Sequence, residues 1–210
     1  MEAINPSDEI LENLDGSAIL RKLEMCGRVC YKSEGNITDD SAEKFIRNII
    51  KRGHESVLEH FSFSVRFITD RGISHEIVRH RIASYSQEST RYCNYGRNNI
   101  QFVVPSGIEG SFPQWEHSCI QAEKVYKDLI AGGISPQVAR SVLPTCLKTE
   151  IIMSANLREW RWFFAKRTAQ DSHPDIRKLT VPLLKELQEK IPVIFEDFEV
   201  ADRDYTILKR

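Results

Sequence analysis

The sequence predicts an α+β fold, an antiparallel twisted sheet flanked by helices, in a single domain over residues 1–210. Three observations carry that expectation. Phe61, Phe63, Val65 and Phe67 alternate with Ser62, Ser64 and Arg66, the period-two pattern of a half-buried strand. Apolar residues also recur at helical spacing in separate blocks, as at Ile19, Leu20, Leu23, Cys26 and Val29–Cys30, which marks amphipathic helices. A chain of 210 residues suits one domain that buries roughly 70% of its unfolded surface.

The elements follow in order. Residues 17–31 form the first helix. A second starts near Thr38 or Asp39, runs through Phe45, Ile46, Ile49 and Ile50, and stops at Gly53, which tolerates positive φ. His54 sits just beyond that end. The aromatic strand comes next, and Asp70 begins a third helix through Ile73, Ile77 and Val78, with Glu76, Arg79 and His80 within one turn of each other. Residues 84–99, rich in Ser, Asn, Tyr and Gly, lack periodicity and read as a long ordered binding loop. A short strand at Ile100–Val104 ends at Pro105. Pro113 opens a helix that reaches Ile130 and closes at Gly132-Gly133; Pro136 opens another, which puts Arg140 on a rigid element. Cys146 to Ser154 suits a second strand, followed by Asn156 and a helix from Leu157 to Thr168 that carries Arg158 and Arg167. Pro174 starts a last long helix with Ile176, Leu179, Leu183, Leu184 and Leu187 on one face; beyond Ile191 the pattern fades.

Composition narrows the function classes. The formal net charge of −1 gives the whole molecule no bias toward nucleic acid or membrane surfaces, so anion binding has to come from local clustering. No apolar run approaches the length of a membrane span, and the first twenty residues are acidic, so the expected location is cytoplasmic. The five cysteines, Cys26, Cys30, Cys93, Cys119 and Cys146, form no Cys-x-x-Cys pair and read as reduced packing residues. His54-Glu55 and Glu59-His60 place the histidines six apart rather than four, which defeats a helical zinc site; no metal is expected.

The chemistry gathers in Arg79-His80-Arg81-Ile82-Ala83-Ser84-Tyr85-Ser86-Gln87-Glu88-Ser89-Thr90-Arg91. Three guanidiniums, an imidazole and a run of hydroxyls face one carboxylate. Guanidinium forks grip phosphate bidentately, each charge-assisted hydrogen bond contributing roughly 1.5–3 kcal/mol. Three or four such contacts suffice to hold a nucleotide phosphate.

The order Arg79-His80-Arg81, seven residues, then Ser89 resembles the signature of the flavin-dependent thymidylate synthases. Ser84 and Arg91-Tyr92 fit the longer form of that pattern. Gly53-His54-Glu55-Ser56 with Glu59-His60 upstream, and Val138-Ala139-Arg140-Ser141-Val142-Leu143-Pro144, Asn156-Leu157-Arg158 and Arg167 downstream, resemble the family's other binding positions in the same order. The resemblance spans about residues 20 to 200 and implies that family's fold. It also implies reductive methylation of dUMP to dTMP, with 5,10-methylenetetrahydrofolate as one-carbon donor and NADPH as reductant through FAD. A homotetramer with sites between subunits is implied by the resemblance alone.

Site residues carry over position by position. The nucleotide is assigned Glu76, Arg79, Gln87, Glu88, Ser89, Thr90, Arg91, Arg140 and Arg167, with Arg140 open to donation from another subunit. The flavin is assigned His54, Ser56, Arg79, His80, Arg81, Gln87, Asn156, Arg158 and Trp162. Arg167 is the residue that stabilises a uracil ionised at nitrogen three. Glu76 stands where some relatives carry glutamine, Gln87 where others carry glutamate, and Trp162 where a smaller polar residue touches the flavin ring; stacking and core packing are both open for Trp162.

None of the five cysteines stands in the matched motif, so a thiolate mechanism has no evident residue. An arginine is no base at ordinary pH, but its fixed charge stabilises a developing anion. Ser89 has no histidine beside it in sequence and reads as a binding residue rather than a nucleophile. Two rival classes are an RNA-binding module, with Tyr85, Tyr92 and Tyr95 stacking bases, and a nucleotide-binding regulator that lacks turnover. The near-zero net charge speaks against the first.

Overall fold

The fold is described from a computed structural model that covers residues 1–200 and 205–207. Two short strands, β1 (Glu2–Ile4) and β2 (Ser7–Ile10), open the chain where the sequence offered no pattern to read. Asp15 then accepts a hydrogen bond from the Ala18 amide at 3.0 Å and caps α1 (Gly16–Val29). Helix α2 (Ser41–Lys51) starts slightly later than expected, because the Thr38 hydroxyl donates to the Asp40 carboxylate at 2.7 Å instead of capping. It ends at Gly53, whose φ of 71° only glycine adopts without strain.

The expected aromatic strand is β3 (Ser62–Asp70), with Phe63, Val65 and Phe67 buried. Asp70 caps α3 (Arg71–Ile77) through the Ile73 amide at 2.8 Å. Then comes a departure: the stretch read as loop from residue 84 begins as a strand, β4 (Ala83–Gln87). β5 (Gln101–Val103), α4 (Phe112–Ala131), α5 (Pro136–Ala139), β6 (Lys148–Asn156), α6 (Leu157–Arg167) and α7 (Pro174–Lys190) fall close to their expected places. After Ile191, where the pattern fades, lie α8 (Pro192–Phe195), β7 (Phe198–Val200) and β8 (Tyr205–Ile207), the last two paired antiparallel.

The main sheet is antiparallel with strand order β2-β3-β6-β4, which puts the two apolar strands β3 and β6 at its centre. β1 and β5 pair separately and in parallel, Ala3 opposite Phe102. The sheet strands contribute residues to two compact units: Met1–Glu9, Arg66–Arg79 and Tyr85–Met153 in one; Ile10–Val65, His80–Ser84 and Ser154–Arg210 in the other.

In the first unit Ile100, Phe102, Cys119, Tyr126, Ala139 and Leu147 form a buried cluster. In the second, Trp160 stacks on Phe63 with centroids 4.9 Å apart and donates its indole N–H to the Phe63 carbonyl at 3.2 Å. Phe163, Phe164 and Phe195 extend this aromatic cluster edge to face. Each such buried ring contributes about 1.5–3 kcal/mol by leaving water. Close helix contact is fixed by Gly27, where a Cβ would meet the Phe45 ring at 2.7 Å. Buried Arg161 anchors the C-terminal segment, with bonds of 2.7 and 2.6 Å to the Asp197 carboxylate and another to the Ile194 carbonyl.

Candidate functional site

In the first unit, β4 projects Tyr85 and Gln87 toward polar partners. The Tyr85 hydroxyl donates to the Ile77 carbonyl at the end of α3 (2.9 Å), and the Gln87 amide donates to Ser74 Oγ (2.8 Å) and Thr149 Oγ1 (3.2 Å). This is why the strand escaped a hydrophobic reading: its inward residues are satisfied by hydrogen bonds, so no apolar alternation betrays it. The Glu88 amide continues the pairing, donating to the Glu150 carbonyl at 2.9 Å, before the chain turns.

Ser89 starts that turn. Its carbonyl accepts from the amides of Tyr92 (3.1 Å) and Cys93 (2.9 Å), and its Oγ from the Arg91 amide at 3.4 Å. Thr90 is buried and accepts from Arg140 Nη1 at 2.9 Å, so the residue expected from the helix after Pro136 is joined to the motif. Arg140 itself lies on a 3-10 turn that continues α5. Arg91 is exposed, its guanidinium 5.5 Å from the Tyr92 ring centroid. Arg79 is exposed just beyond α3, its amide bonded to the Glu76 carbonyl at 3.4 Å.

Glu88 belongs to a network that the sequence did not reveal. Its carboxylate accepts from the Tyr95 hydroxyl at 2.6 Å and from Lys148 Nζ at 3.2 Å, while Lys148 also reaches Glu150 at 2.6 Å. Burial works against the charge on Lys148, but bonds to Glu150 and Glu88 outweigh it and raise its pKa. Burial, then the bond to Glu88, likewise pushes the Tyr95 phenol up. Glu88, Tyr95 and Lys148, with Asn98, Asn99 and Gln101, line a polar cavity of about 460 Å³.

In the second unit, α6 organises the site. Asn156 caps it, its side-chain oxygen accepting from the Glu159 amide at 2.9 Å. Helical spacing then lays out two neighbouring stripes. Arg158, Trp162 and Lys166 are exposed, with Arg158 paired to Glu59 at 2.6 Å and the Lys166 ammonium 4.5 Å from the Trp162 ring centroid. Trp162 is 53% exposed, which excludes core packing, and the Lys166 ammonium lies over one side of its ring. His54, Ser56 and Arg81 are exposed as well.

The second stripe is Glu159, Phe163 and Arg167, and His80 lies along it. The imidazole is buried; Nδ1 is 3.2 Å from Glu159 Oε1, Nε2 accepts from Arg167 Nε at 3.1 Å, and the ring meets Phe163 edge-on at 4.9 Å. Burial, reinforced by the Arg167 charge, lowers the His80 pKa to about 4, so the ring is neutral at physiological pH. Burial raises the Glu159 pKa. Glu159 was missed in the sequence, although its place eight residues before Arg167 on one helix was a usable signal; its partner His80 was not predictable from spacing.

In the first unit a turn of hydroxyls and guanidiniums follows β4, and in the second a buried carboxylate and imidazole lead to the Arg167 guanidinium at the end of α6; both are donor sets suited to anionic ligands. Comparison with known proteins agrees. A family model described as thymidylate synthase complementing protein matches residues 16–193. A flavin-dependent thymidylate synthase from Mycobacterium sp. (strain JLS) is 37% identical, with 89% of this chain and 82% of that one covered. One from Pyrococcus furiosus is 32% identical over 89% of this chain and 78% of its own. The solved structure of a UMP/dUMP methylase, PolB from Streptomyces cacaoi, bound with 5-Br dUMP, shares the fold with a TM-score of 0.79 at 21% identity, covering 93% of this chain and 96% of that one. The chain belongs to the flavin-dependent thymidylate synthase family.

Proposed function

We propose that this chain is a flavin-dependent thymidylate synthase acting as one domain. It reductively methylates dUMP to dTMP, taking one carbon from 5,10-methylenetetrahydrofolate and electrons from NADPH through FAD, and leaves tetrahydrofolate and NADP⁺. The observation that carries the reading is the setting of Arg167: a guanidinium in the last turn of α6, hydrogen-bonded by a buried neutral histidine, in a chain of this family.

The chemistry follows from what the residues offer. Carbon five of uracil becomes nucleophilic when a thiolate adds at carbon six or when nitrogen three is ionised. Burial pushes the Cys119 thiol up to about 12 and raises the Cys146 thiol as well, which makes both poor thiolates. The second route needs a fixed positive charge beside the ring, and Arg167 supplies it. Ser89, Thr90, Arg91 and Arg140, with Glu76, Arg79, Gln87 and Glu88, are the dUMP set. In it Arg91 and Arg140 bring charge for the phosphate, and Ser89 brings hydrogen bonds.

The exposed residues of the second unit suit a dinucleotide flavin. Arg158, Arg81 and His54 are cationic or polar donors for a diphosphate, and Trp162 is an exposed indole suited to stacking on a planar ring. His54, Ser56, Arg79, His80, Arg81, Gln87, Asn156, Arg158 and Trp162 are the proposed flavin set. When bound, the flavin supplies the two-electron reduction that turns a methylene unit into a methyl group. We assign the protein to the cytoplasm and to a homotetramer with sites between subunits, and give it no nucleic-acid, membrane or metal partner. Among the described residues no helix is long and apolar enough to cross a membrane.

The test is anaerobic. Protein reconstituted with FAD is mixed with NADPH and dUMP, and bleaching of the oxidised-flavin band is followed before dTMP is assayed. Arg167→Ala should retain flavin yet form no dTMP; wild-type-like dTMP formation by that variant would remove the role of Arg167. No bound flavin at all would overturn the reading and favour the RNA-binding rival, to be checked by salt-dependent RNA affinity.

A further inference from the structure

We propose that Glu159, acting through His80, is a positioning residue that fixes the orientation of the Arg167 guanidinium. The functional weight of this inference rests on the role proposed for Arg167; its geometric part stands by itself.

The argument is one of donors and acceptors. Arg167 Nε carries a hydrogen and only donates, so His80 Nε2, 3.1 Å away, has to be the bare ring nitrogen. The single ring proton of a neutral imidazole is then on Nδ1, and Nδ1 faces Glu159 Oε1 at 3.2 Å. A proton on Nε2, in the other tautomer or in imidazolium, would set two N–H groups against each other. The carboxylate thus selects the tautomer, and the tautomer makes the acceptor that holds Arg167. Phe163, midway along the same stripe, braces the ring edge-on. Burial of His80 and Glu159 denies the imidazole a ready exchange of partners with water. A guanidinium that must meet a planar uracil anion gains from such bracing, because a misplacement of about 1 Å costs on the order of 100-fold in rate.

A purely structural role for Glu159 is the alternative, since it is also an acidic side chain in the first turn of α6, where negative charge stabilises the helix. Two variants separate the roles. Glu159→Gln removes the charge but keeps an oxygen that accepts from Nδ1–H; Glu159→Ala removes both.

Nitrogen-15 NMR of the histidine side chains, with His80 assigned through a His80→Gln variant, is expected to show Nδ1 protonated and Nε2 bare in the wild type at pH 7. Glu159→Ala is expected to shift His80 toward the Nε2–H tautomer. It should lower kcat on the order of 10- to 100-fold with flavin content and KM for dUMP within about threefold. Glu159→Gln is expected to recover the wild-type tautomer and most of the lost kcat. A protonated Nε2 in the wild type overturns the proposal, as does a Glu159→Gln variant as impaired as Glu159→Ala, which is the outcome of a helix-charge role. If Glu159→Ala does not fold, the wild-type spectrum and Glu159→Gln still decide. Should Arg167→Ala form dTMP normally, the reading of Arg167 fails while the tautomer measurement remains a separate answer about the geometry.

Discussion

At the residue scale the site is a matter of which nitrogen or oxygen is already engaged. His80 has both ring nitrogens engaged by fixed partners, and burial, reinforced by the Arg167 charge, holds its pKa near 4, below the ordinary 6.5, so it is neutral at physiological pH. The unfolded chain therefore takes up this proton first, and stability is lost as pH falls from about 6.5 toward 4; above pH 6.5 the effect vanishes. The loss reaches about 3 kcal/mol from this one group. Urea unfolding of the wild type and of His80→Gln at pH 7 and pH 4.5 should show a steeper acid loss in the wild type, and parallel losses would refute it. Cys93 gives a second residue-scale prediction. It follows Ser89 in the same turn and is half-buried, so it is the cysteine nearest the motif in sequence. If ionised uracil is the nucleophile, Cys93→Ser should keep kcat within about twofold, whereas a thiolate mechanism through Cys93 predicts a fall of several orders of magnitude.

At the element scale α6 carries the most information. Its start depends on Asn156, a residue assigned to the flavin by resemblance, whose side chain caps the Glu159 amide. Asn156→Ala should lower stability by about 1 kcal/mol, read as a drop in the urea midpoint of flavin-free protein, while Asn156→Asp should hold it. Unchanged stability in both variants would mean that the cap contributes nothing. How far the sequence disclosed these elements depends on what buries them. β3, β6 and the long helices were legible because apolar periodicity is direct evidence of a buried face. β4 was not, since Gln87 and Tyr85 are held by hydroxyl and carbonyl partners contributed by other segments. The same limit applies to the site. The Arg79-to-Arg91 motif was legible as a local run, but the Tyr95–Glu88–Lys148 network and the Glu159–His80–Arg167 row join residues 60 and 79 to 87 positions apart, and only folding brings such partners together.

At the scale of the whole molecule, the proposed tetramer makes a claim that one chain alone does not test. The dUMP set includes Arg140, bonded to Thr90, and Arg167, bonded to His80. If every site takes both arginines from the same chain, Arg140→Ala and Arg167→Ala are each inactive and remain so when mixed. If Arg140 is donated by another subunit, a mixed assembly contains sites whose Arg167 comes from the first variant and whose Arg140 comes from the second. Random exchange of equal amounts makes roughly a quarter of the sites complete. Dissociation in mild urea, mixing and reassembly should therefore restore roughly a quarter of wild-type dTMP formation, with each variant treated alone as the control. Recovery requires a shared site, because neither chain carries both side chains. A mixture that sediments as a tetramer of exchanged subunits yet makes no dTMP would place both arginines on one chain and remove the composite site.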